Sequence, residues 1–208
     1  MKKIAVNDKE IALLEAAGRL FARRGYSETS MRDIAQESGM AVGSIYLHYR
    51  NKESLLSALY RYGSSLLLAR ITTRLEGKKD ALSRLAAYIQ ESIRFSLENP
   101  DFFLILFVDF RRRELERPEP LVFSSFRHYV ELGRQILREG TEKGLFSIPK
   151  HSDLILGIIS FWVGVVLIKI LKPSPEASPE ETVQEIFAMI EASLIKGLLK
   201  PQNSRRKS

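Results

Sequence analysis

The chain has no cysteine, three histidines and a single tryptophan among 208 residues. Without cysteine there is no disulfide framework and no thiolate metal site. His48, His128 and His151 are scattered, with no i, i+4 pair and no H-E-x-x-H, so no metal is expected. No G-x-S-x-G elbow and no G-x-x-x-x-G-K-[ST] loop occurs, and Gly77-Lys78-Lys79-Asp80 does not substitute for one. An enzyme is therefore not expected, nor a cofactor. No internal repeat is present. The longest uncharged run, Leu154–Ile168, has fifteen residues, short of the roughly 20 that span a bilayer. It contains Gly157, Ser160 and Gly164 and reads as a buried helix, with no membrane partner. Met1–Glu10 is polar and charged rather than leader-like, so a cytoplasmic location is expected.

The net charge is +7, which suits a polyanionic partner. The excess is dispersed, however. Residues 1–52 carry nine Lys/Arg against six Asp/Glu, while residues 174–200 carry two against five. Charge alone does not specify nucleic acid. Apolar residues recur at helical spacing along nearly the whole chain. Ile11, Leu14, Ala17 and Phe21 mark a first helix that Gly25 ends. Asn51 caps a long helix that carries Leu55, Leu59 and Leu66 to about Leu75. Residues 80–99 form a further helix with Leu82, Leu85, Ile89, Ile93 and Leu97 at helical spacing, broken by Asn99-Pro100. Asp101–Leu115 is apolar on several faces and is buried or lines a cavity. Leu121–Glu142, Leu154–Leu171 and Val183–Leu199 complete an all-α chain of about nine helices, with no convincing strand.

The organising stretch is Thr29–Tyr49. Ser30 and Asp33 form an S-x-x-D capping box, and Met31, Ile34 and Ala35 share an apolar face. Gly39 suits the left-handed position that ends a helix. A second helix from about Val42 to His48 places Ile45 and Tyr49 on one side and Gly43, Ser44, Leu47 and His48 around the rest. This is the layout of a helix-turn-helix. The run IAQESGMAVGSIYLHYRNKESLL resembles the signature of the tetracycline-repressor (TetR) family of bacterial regulators. The match takes in Ile34, Ala35, Gly39, Gly43, Ser44, Ile45, Tyr46, Tyr49, Lys52, Glu53 and Leu55. Three positions depart from it: Ser38 replaces the usual Ala, Tyr49 the usual Phe, and Ala41 a frequent Ser or Thr cap. The resemblance implies that Thr29, Ser30, Tyr46, His48 and Lys52 contact phosphate, and that Arg32, Val42, Gly43, Ser44 and Leu47 face base edges.

It also implies a three-helix DNA-binding head over residues 1–50 and a helical regulatory and dimerisation body over 51–200. Residues 201–208 read as a disordered basic tail. A homodimer, a palindromic double-stranded DNA operator and a small effector would follow. The mostly apolar composition of the middle helices favours a lipophilic effector. Tyr88, Arg94, Phe95, Phe103, Phe107, Asp109, Phe126, Arg127 and Tyr129 are the candidate ligand contacts, although such aromatics serve as core at least as often. Gly157, Ser160, Gly164, Ile186, Ile190 and Leu194 are the candidate dimer contacts. The role of Arg111–Arg113 stays open. An activator with the same head, or a helical interaction protein that does not use DNA, would share these features.

Overall fold

The computed structural model describes residues 8–108, 121–148, 153–173 and 177–199. Among these residues nine α-helices follow one another: α1 (Asp8–Arg24), α2 (Met31–Ser38), α3 (Val42–His48), α4 (Lys52–Leu75), α5 (Ala81–Glu98), α6 (Pro100–Val108), α7 (Leu121–Glu142), α8 (Leu154–Leu171) and α9 (Pro179–Ile190). The last continues through a π-helical turn, Glu191–Ile195, into Lys196–Leu198. One isolated antiparallel bridge joins Phe146 to Leu199.

Local chemistry sets most helix ends. Ser30 accepts the Asp33 N–H at 3.2 Å and Asp33 accepts the Ser30 N–H at 2.7 Å, the capping box expected for α2. Ser178 and Glu181 repeat that box at α9, with Pro179 where a missing N–H costs nothing. Asn51 accepts the Ser54 N–H at 2.8 Å and so caps α4. Gly39 ends α2 at φ 67°, a conformation that L side chains rarely adopt.

The chain divides into two compact units. One comprises Met1–Leu67 and Asn99–Arg127, the other Leu68–Glu98 and His128–Ser208. This division differs from a boundary at residue 50. In the first unit, Leu13, Leu14, Ala17 and Phe21 of α1 close over Ile34 and Ala35 of α2, Ile45 of α3 and Leu55, Leu56 and Leu59 of α4. Ile105 of α6 belongs to the same core and lies against α1 beside Gly18. A Cβ at Gly63 of α4 would collide with the Phe102 ring, so α4 and α6 meet closely there. The apolar helix, expected to be buried or to line a cavity, thus buries Phe103 and Ile105 in the first unit.

In the second unit α5 packs on α8 and α9. Leu85, Ile89 and Ile93 share its core with Ile136, Phe146, Ile155, Ile158, Val166, Val183, Ile186 and Ile190. Buried among these elements is Glu91. Its carboxylate accepts from Arg70 Nε at 2.6 Å, Arg74 Nε at 3.1 Å and Arg94 at 2.9 Å.

The helix expected to be buried is not. Within the single chain α8 buries only Ile155, Ile158, Trp162 and Val166. Leu156, Ile168 and Leu171 are exposed, the last two by 62% and 64%. With 18 residues and a mean hydropathy of 2.6, α8 is long and apolar enough to cross a membrane by length and composition. The apolar count of a run does not reveal how many of its faces its own chain covers.

Candidate nucleic-acid interface

The α2–turn–α3 element presents one side outward because the other is tied down. On α3 the buried residue is Ile45, followed by Tyr49, whose N–H donates to the Ile45 carbonyl at 2.8 Å. A period of 3.6 then turns Tyr46 and Leu47 away from the core. They are 51% and 86% exposed, so neither is a core residue. Gly43 is exposed and a Cβ there would meet nothing within 4 Å, so its value is a bare backbone. Ser44 and Val42 are half-buried; His48 and Arg32 are exposed. An exposed leucine beside a serine and a glycine has no internal partner to satisfy. It suits the edge of a base pair, where leucine meets a thymine methyl and serine a donor or acceptor.

Beside α3 lies an open concavity of about 450 Å³, lined by Ser27–Met31, Tyr46, Arg50, Asn51 and Lys52. The N-termini of α2 and α4 both open on it. The two helix dipoles favour an anion there and Arg50 adds an exposed positive charge, while the Glu28 carboxylate on the same lining opposes them. A phosphate group would suit such a lining. The hydroxyl and backbone N–H of Ser30 hold the Asp33 carboxyl below its usual range, so the α2 cap stays intact across physiological pH.

Two expected phosphate contacts are otherwise engaged. Thr29 is buried, and its hydroxyl donates to the Gly25 carbonyl at 2.8 Å, closing the end of α1. Lys52 Nζ donates to the carbonyls of Tyr26 at 2.5 Å and Thr29 at 2.6 Å, and lies 4.3 Å from the Tyr26 ring centroid. Its ammonium staples the start of α4 to the loop between α1 and α2. An ammonium has three protons, and carbonyls on that loop take them. Lys52→Ala is expected to lower the unfolding free energy by about 1–2 kcal/mol, read from denaturant midpoints. It should also leave the salt dependence of DNA binding unchanged. A salt slope smaller by about one would restore the phosphate assignment.

Tyr49 shows what the unusual hydroxyl at its position does. The phenol donates to Glu10 Oε1 on α1 at 2.5 Å. Burial, and then that hydrogen bond, raise its pKa far above the ordinary tyrosine range, so it remains a neutral donor. Nothing at the level of pattern links positions 10 and 49.

The candidate ligand residues do not form one constellation. In the second unit Tyr88 stacks on Tyr129 at 4.9 Å between centroids and donates to the Tyr129 carbonyl at 3.2 Å. The Tyr129 hydroxyl donates to Ser92 at 3.1 Å, and burial pushes its pKa up to about 12. Both are core residues, as is Phe95, which lies against the Arg70 guanidinium. Arg94 is committed to Glu91 and, through a fork, to Glu180. In the first unit Phe103 is buried, Phe126 stacks on Phe102, and Arg127 is exposed. The Phe107 side chain, Asp109 and Arg111–Arg113 lie outside the described residues. His128 is exposed on α7.

The dimer candidates also divide. Gly157, Ser160 and Gly164 are exposed on α8. Ile186 and Ile190 have no exposed surface and belong to the core of their own chain, which corrects their assignment to a partner. Leu194 is half-buried. On α8 and α9 the exposed apolar residues that pattern reading missed are Leu156, Ile168, Leu171 and Met189, and on α4 Leu66, read as part of its apolar face, is exposed as well.

Residues 13–59 match the family described as bacterial regulatory proteins, tetR family. Over 194 residues the chain is 26% identical to the HTH-type transcriptional repressor KstR2 of Mycobacterium tuberculosis, covering 92% of this chain and 95% of that one. The solved structure of the latter, described as a ketosteroid transcriptional regulator, superposes with a TM-score of 0.63 at 25% identity, over 94% and 97% of the two chains. The fatty acid degradation regulator FadR from Bacillus halodurans superposes with a TM-score of 0.77 at 21% identity, over 93% and 98%. FadR from Bacillus subtilis in complex with stearoyl-CoA gives 0.70 at 19%, over 86% and 96%. At those last two identities the likeness is one of fold.

Proposed function

We propose that this chain, which belongs to the tetR family of bacterial regulatory proteins, is a transcriptional repressor that binds a two-fold symmetric operator as a homodimer and is released by a small lipophilic effector. Its relatives are transcriptional regulators rather than enzymes. The observation that carries the reading is α3. Tyr46 and Leu47 stand out from a helix whose other side is locked into the core, next to a concavity with two helix N-termini. Phosphate contacts would set the register, and Gly43, Ser44 and Leu47 would read bases.

A second copy is the occupant that suits α8. Gly157, Ser160, Gly164, Ile168 and Leu171 recur three or four residues apart and so share a face. Met189 of α9 adds to the exposed apolar surface. A contiguous surface of this kind marks a partner site. Small residues along it let two helices approach closely, as in a four-helix bundle. Two-fold pairing would set the recognition helices about 34–36 Å apart, one turn of B-DNA. A chain paired in this way would work in the cytoplasm.

The effector reading draws on the relatives, one named for a ketosteroid and one bound to stearoyl-CoA. A ligand acts only if it prefers the state that cannot bind DNA. Within the first unit α6 packs on α1 beside Gly18 and on α4 beside Gly63. A shift of α6 would therefore move both helices that carry α2 and α3.

The test is selection of an operator from random duplex, followed by gel shift against salt and competitor DNA. A discrete, competitor-resistant complex is expected. Saturating long-chain acyl-CoA should weaken it about 5–150-fold, the usual span of allosteric coupling. Competitor-sensitive smears alone would defeat the regulator reading. An unchanged operator Kd with acyl-CoA would defeat that effector class.

A further inference from the structure

The recognition helix is held by packing near its start, where Val42 lies against the core of the first unit, and by a hydrogen bond past its end. α3 has seven residues, too few to persist as a helix without tertiary support. Ala41 occupies its N-cap and makes no side-chain hydrogen bond, and Gly43 follows in the first turn. Its own buried anchor is Ile45. The next anchor, Tyr49, lies past the opposite end. There the phenol donates to Glu10 Oε1 at 2.5 Å, across 39 positions, on the first turn of α1. A hydrogen bond to a carboxylate is short and strong, and this one is partly shielded from water.

We infer that the Tyr49–Glu10 hydrogen bond is the tether that sets the angle at which α3 is offered to DNA. Both are then positioning residues for base reading, although neither is placed to touch a base. The inference rests on the DNA-binding reading above. Its physical basis is leverage. With the C-terminal tether gone, α3 can rock about Ile45. Tyr46 and Leu47, nearest the released end, then move most, and Gly43 and Ser44 tilt with them. Hydrogen bonds to base edges tolerate little displacement. Attraction to the phosphate backbone is long-ranged and tolerates much more. Loss of the tether should therefore cost specific binding and spare non-specific binding.

The experiment compares the full chain with Tyr49→Phe, Glu10→Ala and the double variant. Amide hydrogen exchange is followed in the free protein, and affinity is measured on the selected operator and on random duplex over a range of salt. The tether predicts roughly tenfold faster exchange across residues 42–48 in each variant, the worth of one hydrogen bond. It predicts a similar loss on the operator, with random-duplex affinity and salt slope unchanged. The double variant should be no worse than Glu10→Ala alone, because the bond that Tyr49→Phe removes is then already gone. Unchanged exchange in α3, or equal losses on operator and random DNA, would overturn the inference. Should Tyr49→Phe lose its cooperative melt, Glu10→Ala carries the same comparison with the ring intact. If the wild-type chain selects no operator, the regulator reading fails, and exchange in α3 alone decides the tether.

Discussion

Gly164→Arg is expected to give a folded monomer whose operator affinity is lower by about 10²–10⁴-fold, the avidity lost when two linked half-sites become independent. The fold should survive. Gly164 is exposed on α8, and a side chain there meets nothing within 4 Å in its own chain. Arginine is also a better helix former than glycine by about 0.8–1 kcal/mol. In a dimer the same side chain would place a charge in the apolar centre of the interface, where truncated or clashing groups cost most. Light scattering after size exclusion reads the assembly, and anisotropy on whole and half operators reads the affinity. A variant that stays dimeric would move the interface off this face. A wild-type chain that is monomeric and held by vesicles would instead give the 18-residue apolar helix to lipid.

Glu91→Ala is expected to destabilise the chain by about 3–5 kcal/mol, as breaking a buried ion pair from one side does. The Glu91 side chain is 3% exposed and receives three guanidinium groups. Their positive charges lose their common counter-charge when it is removed. The lower end of that range is expected, because Arg70 keeps Glu98 and Arg94 keeps Glu180. Glu91→Gln, which retains shape and one acceptor, should fall between the two. Arg74→Ala supplies the internal contrast. Arg74 is more than half exposed, and its loss should cost at most about 1 kcal/mol. Urea midpoints at constant m-value read all three. A Glu91→Ala midpoint within error of the wild type would mean that the carboxylate is already solvated.

The helix-turn-helix was legible because its signals are local. A capping box spans four residues, and a left-handed glycine needs only its own φ. The alternation of Ile45 and Tyr49 with Tyr46 and Leu47 is a property of one short helix. Even the outward face of α3 follows from period alone. The duties of Lys52 and Thr29 were not legible. A lysine at a helix N-terminus reads as a phosphate contact. Only the folded loop brings the Tyr26 and Thr29 carbonyls within reach of its ammonium. The same holds for Tyr49, whose hydroxyl has meaning only once α1 delivers Glu10 to it.

The last two helices show where periodicity stops. Val183, Ile186, Ile190, Leu194 and Gly197 form one stripe at a uniform 3.6-residue period. The π turn over Glu191–Ile195 adds a residue to the spacing, so the buried stripe passes from Ile190 to Ile195 and Leu198. Leu194 is left half-buried, and Gly197 is exposed. Helical class, the DNA-reading element and the apolar character of α8 were determined by the amino-acid sequence, because each depends on neighbours within about two turns. Which apolar faces the chain covers for itself was decided by tertiary structure. So was the docking of α6 on the head, and so was the assignment of each charged side chain to a staple, an ion pair or the solvent. Those outcomes depend on groups tens of residues apart whose meeting no local period encodes.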